Sequence, residues 1–143
     1  MKTFDLILTK NFKLSEFLVT NQKFDNFELS YRTFQNICKL VCLLQDLRDF
    51  IGVPVIITSG YRPETLNAMV DGVKNSFHLC GSAADVFISN REKYNAAVQY
   101  LTIRFNQDDS IAEFLCCPEK QWFHISLNCH ERKNKHVINL NYY

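Results

Sequence analysis

The sequence predicts an α+β fold, a small antiparallel sheet with helices packed on it. Three observations predict it. Apolar residues recur at three- and four-residue spacing in two separate stretches, one over 32–50 and one after Asn90. Strand-like runs lie outside those stretches, at 53–58, 83–89, 111–117 and 122–127. The last two of these runs flank Pro118-Glu119-Lys120, which fits a hairpin.

The first 31 residues mix Phe and Leu with Lys, Asp and Asn and hold no clean period, although Ser15 suits the cap of a short helix at Glu16-Phe17-Leu18. Phe34, Ile37, Leu40, Val41, Leu44 and Leu47 then fall on one helical face, and Gly52 and Pro54 stop the helix. Val53 to Thr58 is a β-branched run that suits a buried strand. It leads into the turn-rich Ser59-Gly60-Tyr61-Arg62-Pro63. Residues 64–70 suit one or two helical turns, and Asp71-Gly72 is a turn pair. After the strand at 83–89, Asn90 caps a second helix with Tyr94, Ala97, Val98, Leu101 and Phe105 on one face. The tail from His130 is basic (Arg132, Lys133, Lys135) and ends in Val137, Ile138 and Leu140.

A chain of 143 residues suits one domain spanning 1–143, and 47% hydrophobic residues can fill its core. A net charge of +1 argues against nucleic acid as a partner. No run is apolar enough to span a membrane, and the N-terminus does not resemble a secretory signal. These features predict cytoplasmic synthesis. The six cysteines, at 38, 42, 80, 116, 117 and 129, form no Cys-x-x-Cys pair, which disfavours a zinc ribbon. They suit reduced, small apolar residues, with Cys38 and Cys42 one helical turn apart among leucines.

Three polar residues sit where a plain core would not put them. His78 lies in Ser76-Phe77-His78-Leu79-Cys80-Gly81, Asp85 inside the strand at 83–89, and His124 inside Trp122-Phe123-His124-Ile125-Ser126. An ionisable group in a buried strand is costly unless it is paired or binds a metal. Two imidazoles and a carboxylate make a three-ligand zinc set that leaves a fourth position for water. Fully extended, the seven residues from His78 to Asp85 would span about 23 Å at roughly 3.3 Å each. The chain must therefore turn between them, and Gly81 can provide the turn.

Ser76-x-His78-x-x-Gly81-x-Ala83-x-Asp85, preceded by Ser59-Gly60-Tyr61-Arg62 and followed by Trp122-Phe123-His124-Ile125-Ser126, resembles the M15 family of zinc peptidases. That family includes D-alanyl-D-alanine carboxypeptidases and dipeptidases and phage L-alanyl-D-glutamate endopeptidases. Phe12-Lys13-Leu14-Ser15-Glu16-Phe17 is similar to the short, often phage-encoded members. The resemblance implies that His78, Asp85 and His124 bind Zn2+. It also implies that Arg62 faces a substrate carbonyl or carboxylate and that Ser76 faces the substrate. The substrate it implies is the stem peptide of peptidoglycan, cleaved at a D,D- or L,D-type bond.

Zinc acidifies a bound water, and a carboxylate must take that water's proton and return it to the leaving amine. In the family this carboxylate stands three residues before the second His, where this chain has Gln121. An amide at that catalytic position can orient water but has no usable basicity. Glu113, in the neighbouring predicted strand, and Glu119, in the hairpin, are the two carboxylates that could replace it, and periodicity selects neither. Cys80 lies close to the proposed ligands in sequence but suits packing better than coordination. His130 and His136 fall in the tail and suit solvent.

The leading reading is thus a zinc peptidase, stored inside a cell and delivered to the wall by lysis or in a phage particle. Gln121 motivates an alternative, a non-catalytic zinc-containing domain that binds cell-wall peptides. A third reading makes the polar trio a buried hydrogen-bond network in a structural domain of a phage particle.

Overall fold

The structure is a computed structural model that describes residues 5–130, 132 and 137–140. In chain order its elements begin with β1 (Ile7–Thr9), β2 (Phe12–Lys13) and a 3-10 turn at Leu14–Phe17. Helix α1 (Tyr31–Ile51), β3 (Ile56–Ser59) and α2 (Glu64–Met69) follow, then a second 3-10 turn at Phe77–Cys80. The remainder is β4 (Ala83–Phe87), α3 (Arg91–Gln107), β5 (Ile111–Cys117), a 3-10 turn at Pro118–Lys120, β6 (Trp122–Leu127) and β7 (Val137–Asn139).

The α+β expectation holds. Five strands form one sheet in the order β3-β4-β6-β5-β7, antiparallel except for the parallel pair β5 and β7. Alternation along the strands gives the sheet two unlike faces. Ala84, Val86, Phe114, Cys116, Phe123 and Ile125 point to one side and join the buried stripe of α1 (Ile37, Leu40, Val41, Leu44, Leu47) and the buried face of α3. The opposite side carries the polar residues.

Both helices are capped, α3 at Asn90 and α1 at Gly52 as the sequence suggests, and α1 also at Ser30. The Ser30 hydroxyl accepts from Thr33 N–H and the Asn90 side chain from Lys93 N–H, while Gly52 ends α1 in the left-handed region at φ 72°. Of the face predicted for α3, Tyr94, Ala97, Leu101 and Phe105 are buried and Val98 is partly so.

Four local expectations are corrected. Ser15 does not cap a helix: it sits inside the 3-10 turn, where its hydroxyl donates to Asp5 Oδ2 at 2.6 Å. The strand after α1 starts at Ile56, beyond Pro54, and alternates in burial because it lies at the sheet edge. Cys42 is exposed on α1, because it falls beside rather than on the buried stripe. The β1–β2 pair and β7 add strands in segments without a strand pattern. Lys133, Lys135 and His136 lie outside the described residues. Among the described residues no helix is long and apolar enough to cross a membrane.

Candidate metal centre

Strand pairing brings two of the three predicted ligands together directly. Asp85 on β4 stands opposite His124 on β6, so the two side chains rise from the same face. His78 arrives from the 3-10 turn at Phe77–Cys80, which begins at Ser76 and ends at Gly81. Gly81 has φ 76°, and a Cβ there would meet Ile37 and Thr33 of α1 at 2.9 and 3.0 Å. Glycine is therefore required twice over, for the left-handed turn and for the close approach to α1. Candidate donor atoms of His78, Asp85 and His124 lie within 4.8 Å of one another.

Each imidazole meets Asp85 Oδ1 with one nitrogen: His78 Nε2 at 3.3 Å and His124 Nδ1 at 2.9 Å. The far nitrogens are held from behind. His78 Nδ1 lies 2.7 Å from the Gly60 carbonyl, which can only accept, so the proton belongs on Nδ1 and the Nε2 lone pair faces Asp85. His124 Nε2 lies 3.0 Å from Glu113 Oε1, and the same oxygen accepts from the Ser126 hydroxyl at 2.9 Å. A carbonyl or carboxylate behind a ligating imidazole is the arrangement that fixes its tautomer for a metal. The donor set and its surroundings fit a zinc ion.

The electrostatics follow from this packing. His78 is 2% exposed, and burial lowers its pKa despite the neighbouring Asp85 charge, so it stays neutral. Burial also opposes charge on His124, but the hydrogen bonds and charges of Asp85 and Glu113 outweigh it and hold that pKa at about 9. Burial would raise the Asp85 pKa, yet the two imidazoles override it and keep the carboxyl well below the usual range. The His124 hydrogen bond likewise holds Glu113 low, against its partial burial. Without metal, His124 is thus an imidazolium between two carboxylates, and coordination at neutral pH must displace its proton.

A cleft of about 310 Å³ opens over this centre, with Ser76, Asp85, Glu113, Leu115, Trp122 and His124 among its lining. Ser76 Oγ accepts from His78 N–H at 3.1 Å and from Arg62 Nη2 at 3.3 Å. It is therefore both the cap of the turn that bears His78 and part of the cleft wall. Arg62 is half-buried behind it and donates its backbone N–H to the His78 carbonyl at 2.9 Å. Burial lowers the Arg62 pKa against the opposing pull of Asp85.

Gln121 is placed differently. It occupies the left-handed region at φ 55°, and its Nε2 donates to the carbonyls of Ile88 and Ser89 at 2.8 and 2.7 Å. It ties the β5–β6 hairpin to the end of β4 and is not brought to the trio. Glu119 is exposed on the same hairpin. Glu113 reaches His124 because of a β-bulge. Ile111 pairs with Leu127 but Glu113 pairs with Ser126, so the extra residue turns Glu113 onto the polar face. Straight alternation from Ile111 would have pointed it into the core. Neither the Gly60 carbonyl nor Ser126 was assigned a role by the motif, because one stands behind His78 and the other behind Glu113.

A sheet face bearing two imidazoles and a carboxylate beneath an open cleft is a candidate metal site, an arrangement compatible with metal-dependent hydrolysis. The Peptidase M15 family pattern matches residues 10–126, and the chain belongs to that family. Membership places it among peptidases, and the His78–Asp85–His124 cluster is compatible with the zinc on which the family generally depends. No curated protein matches the chain.

Proposed function

We propose that this chain, as one domain over 1–143, is a zinc-dependent peptidase that hydrolyses a peptide bond in bacterial cell-wall stem peptides. The observation that carries the reading is the convergence of His78, Asp85 and His124 within 4.8 Å, each histidine backed by an acceptor, in a chain of the M15 family. Zinc, when bound, supplies Lewis acidity that polarises a carbonyl and acidifies water. The chain's own groups do the rest. Arg62 and Ser76 meet a substrate carboxylate or carbonyl, the guanidinium bringing charge and the hydroxyl a donor. Glu113 lines the cleft, and its Oε2 carries no hydrogen bond among the described residues. That oxygen is available to take a proton and return it to the leaving amine, as a carboxylate ionised at neutral pH can. Gln121 serves as a strut of the hairpin rather than as the catalytic amide. Synthesis in the cytoplasm and release by lysis, or carriage in a phage particle, would bring the enzyme to the wall.

Incubating zinc-loaded protein with purified peptidoglycan should generate new amine termini in step with added protein. No new termini at any zinc level would sink the enzymatic reading. The second reading, a non-catalytic domain that binds cell-wall peptides, draws on Gln121 at the family's base position. It is favoured if the protein sediments with peptidoglycan sacculi, cleaves nothing, and gains activity on Gln121→Glu.

A further inference from the structure

We infer that Cys80 and Cys129 are a disulfide-forming pair that closes when the folded protein meets a disulfide oxidant. The bond would tie the segment carrying His78 to the segment carrying His124. The pairing does not depend on the peptidase reading.

The six cysteines are free. Cys80 Sγ lies 3.0 Å from Cys129 Sγ, although the two residues are 49 apart in the chain. A disulfide is about 2.05 Å long, so the sulfurs need to approach by roughly 1 Å. Both thiols are buried in a small apolar cluster with Phe77, Ala83 and Ala112. Each is also anchored. Cys80 ends the 3-10 turn of His78, where its carbonyl accepts from Asn36 Nδ2 at 2.9 Å and its thiol donates to Phe77 O at 3.4 Å. Cys129 follows two residues after β6, the strand of His124, and its N–H donates to Arg132 O at 2.8 Å. The other cysteines differ in placement. Cys38 and Cys42 sit one turn apart on one helix, and Cys116 and Cys117 are chain neighbours on one strand. A bond within either pair would join no distant segments.

With oxidised glutathione as the oxidant, one protein thiol loses its proton and attacks a glutathione sulfur. This expels one glutathione thiolate and leaves a mixed disulfide. The second protein thiol attacks the protein sulfur of that mixed disulfide and expels the other glutathione. One S–S bond forms in the protein and one breaks in the oxidant. Two electrons and two protons pass to two glutathione thiols.

The test uses the full chain, purified reduced, treated with oxidised glutathione, alkylated, and mapped by mass spectrometry without reduction. The expected result is one cross-linked pair of peptides containing Cys80 and Cys129, with Cys42 alkylated. The oxidised protein should melt roughly 5–10 °C higher, reversibly with dithiothreitol. Recovery of Cys80 and Cys129 as separate alkylated or glutathionylated residues would overturn the pairing. A cross-link that leaves the melting temperature unchanged would overturn the tie between the two segments. Cys129→Ala should abolish both signals. The mapping of the unmodified chain stands as the test even if that variant does not fold.

Discussion

Glu113 Oε1 lies 3.0 Å from His124 Nε2, so one carboxylate of the cleft grips the imidazole whose other nitrogen faces Asp85. The Ser126 hydroxyl donates to the same oxygen at 2.9 Å and fixes the carboxylate in turn. The chain Ser126–Glu113–His124 would hold the proton on Nε2 and leave Nδ1 for a metal, were one bound. The rest of Glu113 is left facing the cleft.

The two roles of Glu113 separate in two variants. Glu113→Gln keeps an oxygen that can accept from Nε2–H, so zinc affinity should stay within about threefold. Turnover should fall by 100-fold or more, because an amide cannot shuttle a proton. Glu113→Leu removes the acceptor as well, and zinc affinity should drop about 10- to 100-fold. Competition against a chromophoric chelator reads affinity, and release of amine termini reads turnover. Equal zinc affinity in both variants would remove the orienting role.

How much of this was legible in the sequence follows from what each residue depends on. His78, Asp85 and His124 stood out because together they fall at the spacing of a recognisable motif, each ionisable residue alone being a weak signal. Helices α1 and α3 were legible because their stripes, the Gly52 stop and the Asn90 cap are local. Glu113 was only one of two candidates, since its direction depends on the bulge at Ile111–Glu113, set by pairing with β6. The Gly60 carbonyl was illegible because a main-chain oxygen leaves no residue signature. Strand β7 was missed because its parallel pairing with β5 joins distant segments, and β1 and β2 because they are too short to show a period.

The metal-free protein should lose stability as the pH rises from about 6.5 to about 9. His124 has its folded pKa raised above its unfolded value, so its contribution is complete below about 6.5 and is lost as pH climbs through about 9. His78 has the opposite sign. Its lowered pKa costs stability below its unfolded value and contributes nothing above it. The window between is therefore governed by His124, with a total loss on the order of 3 kcal/mol. Urea unfolding in the presence of a chelator measures this loss. His124→Gln should flatten the slope, and an equal slope in that variant would refute the assignment.

Gln121→Glu should not raise turnover. The wild-type amide donates to two carbonyls, and a carboxylate in its place faces the same two oxygens with nothing to donate. Loss of those bonds should cost roughly 1–3 kcal/mol in chemical unfolding. A rise in peptidoglycan cleavage would show that residue 121 reaches the reaction after all, and would favour the binding-domain reading of the wild type.

Gly60→Ala tests whether the loop behind His78 is part of the metal centre. A Cβ at Gly60 would lie 2.5 Å from the Phe17 carbonyl oxygen and 2.7 Å from Phe17 Cα, both main-chain atoms that cannot rotate aside. The loop must then shift. Its Gly60 carbonyl holds His78 Nδ1 at 2.7 Å, and the neighbouring Tyr61 N–H donates to Phe17 O at 2.8 Å. Overpacking of this kind should cost about 1–3 kcal/mol. If His78 binds zinc as proposed, the displaced carbonyl no longer orients it, and zinc affinity should fall about tenfold or more. Gly52→Ala is the matched control. It is strained by a φ of 72° but meets nothing within 4 Å and caps α1. It should lower stability by about 1 kcal/mol while leaving zinc affinity unchanged. If both variants lose stability and neither loses zinc affinity, the Gly60 carbonyl supports the fold alone.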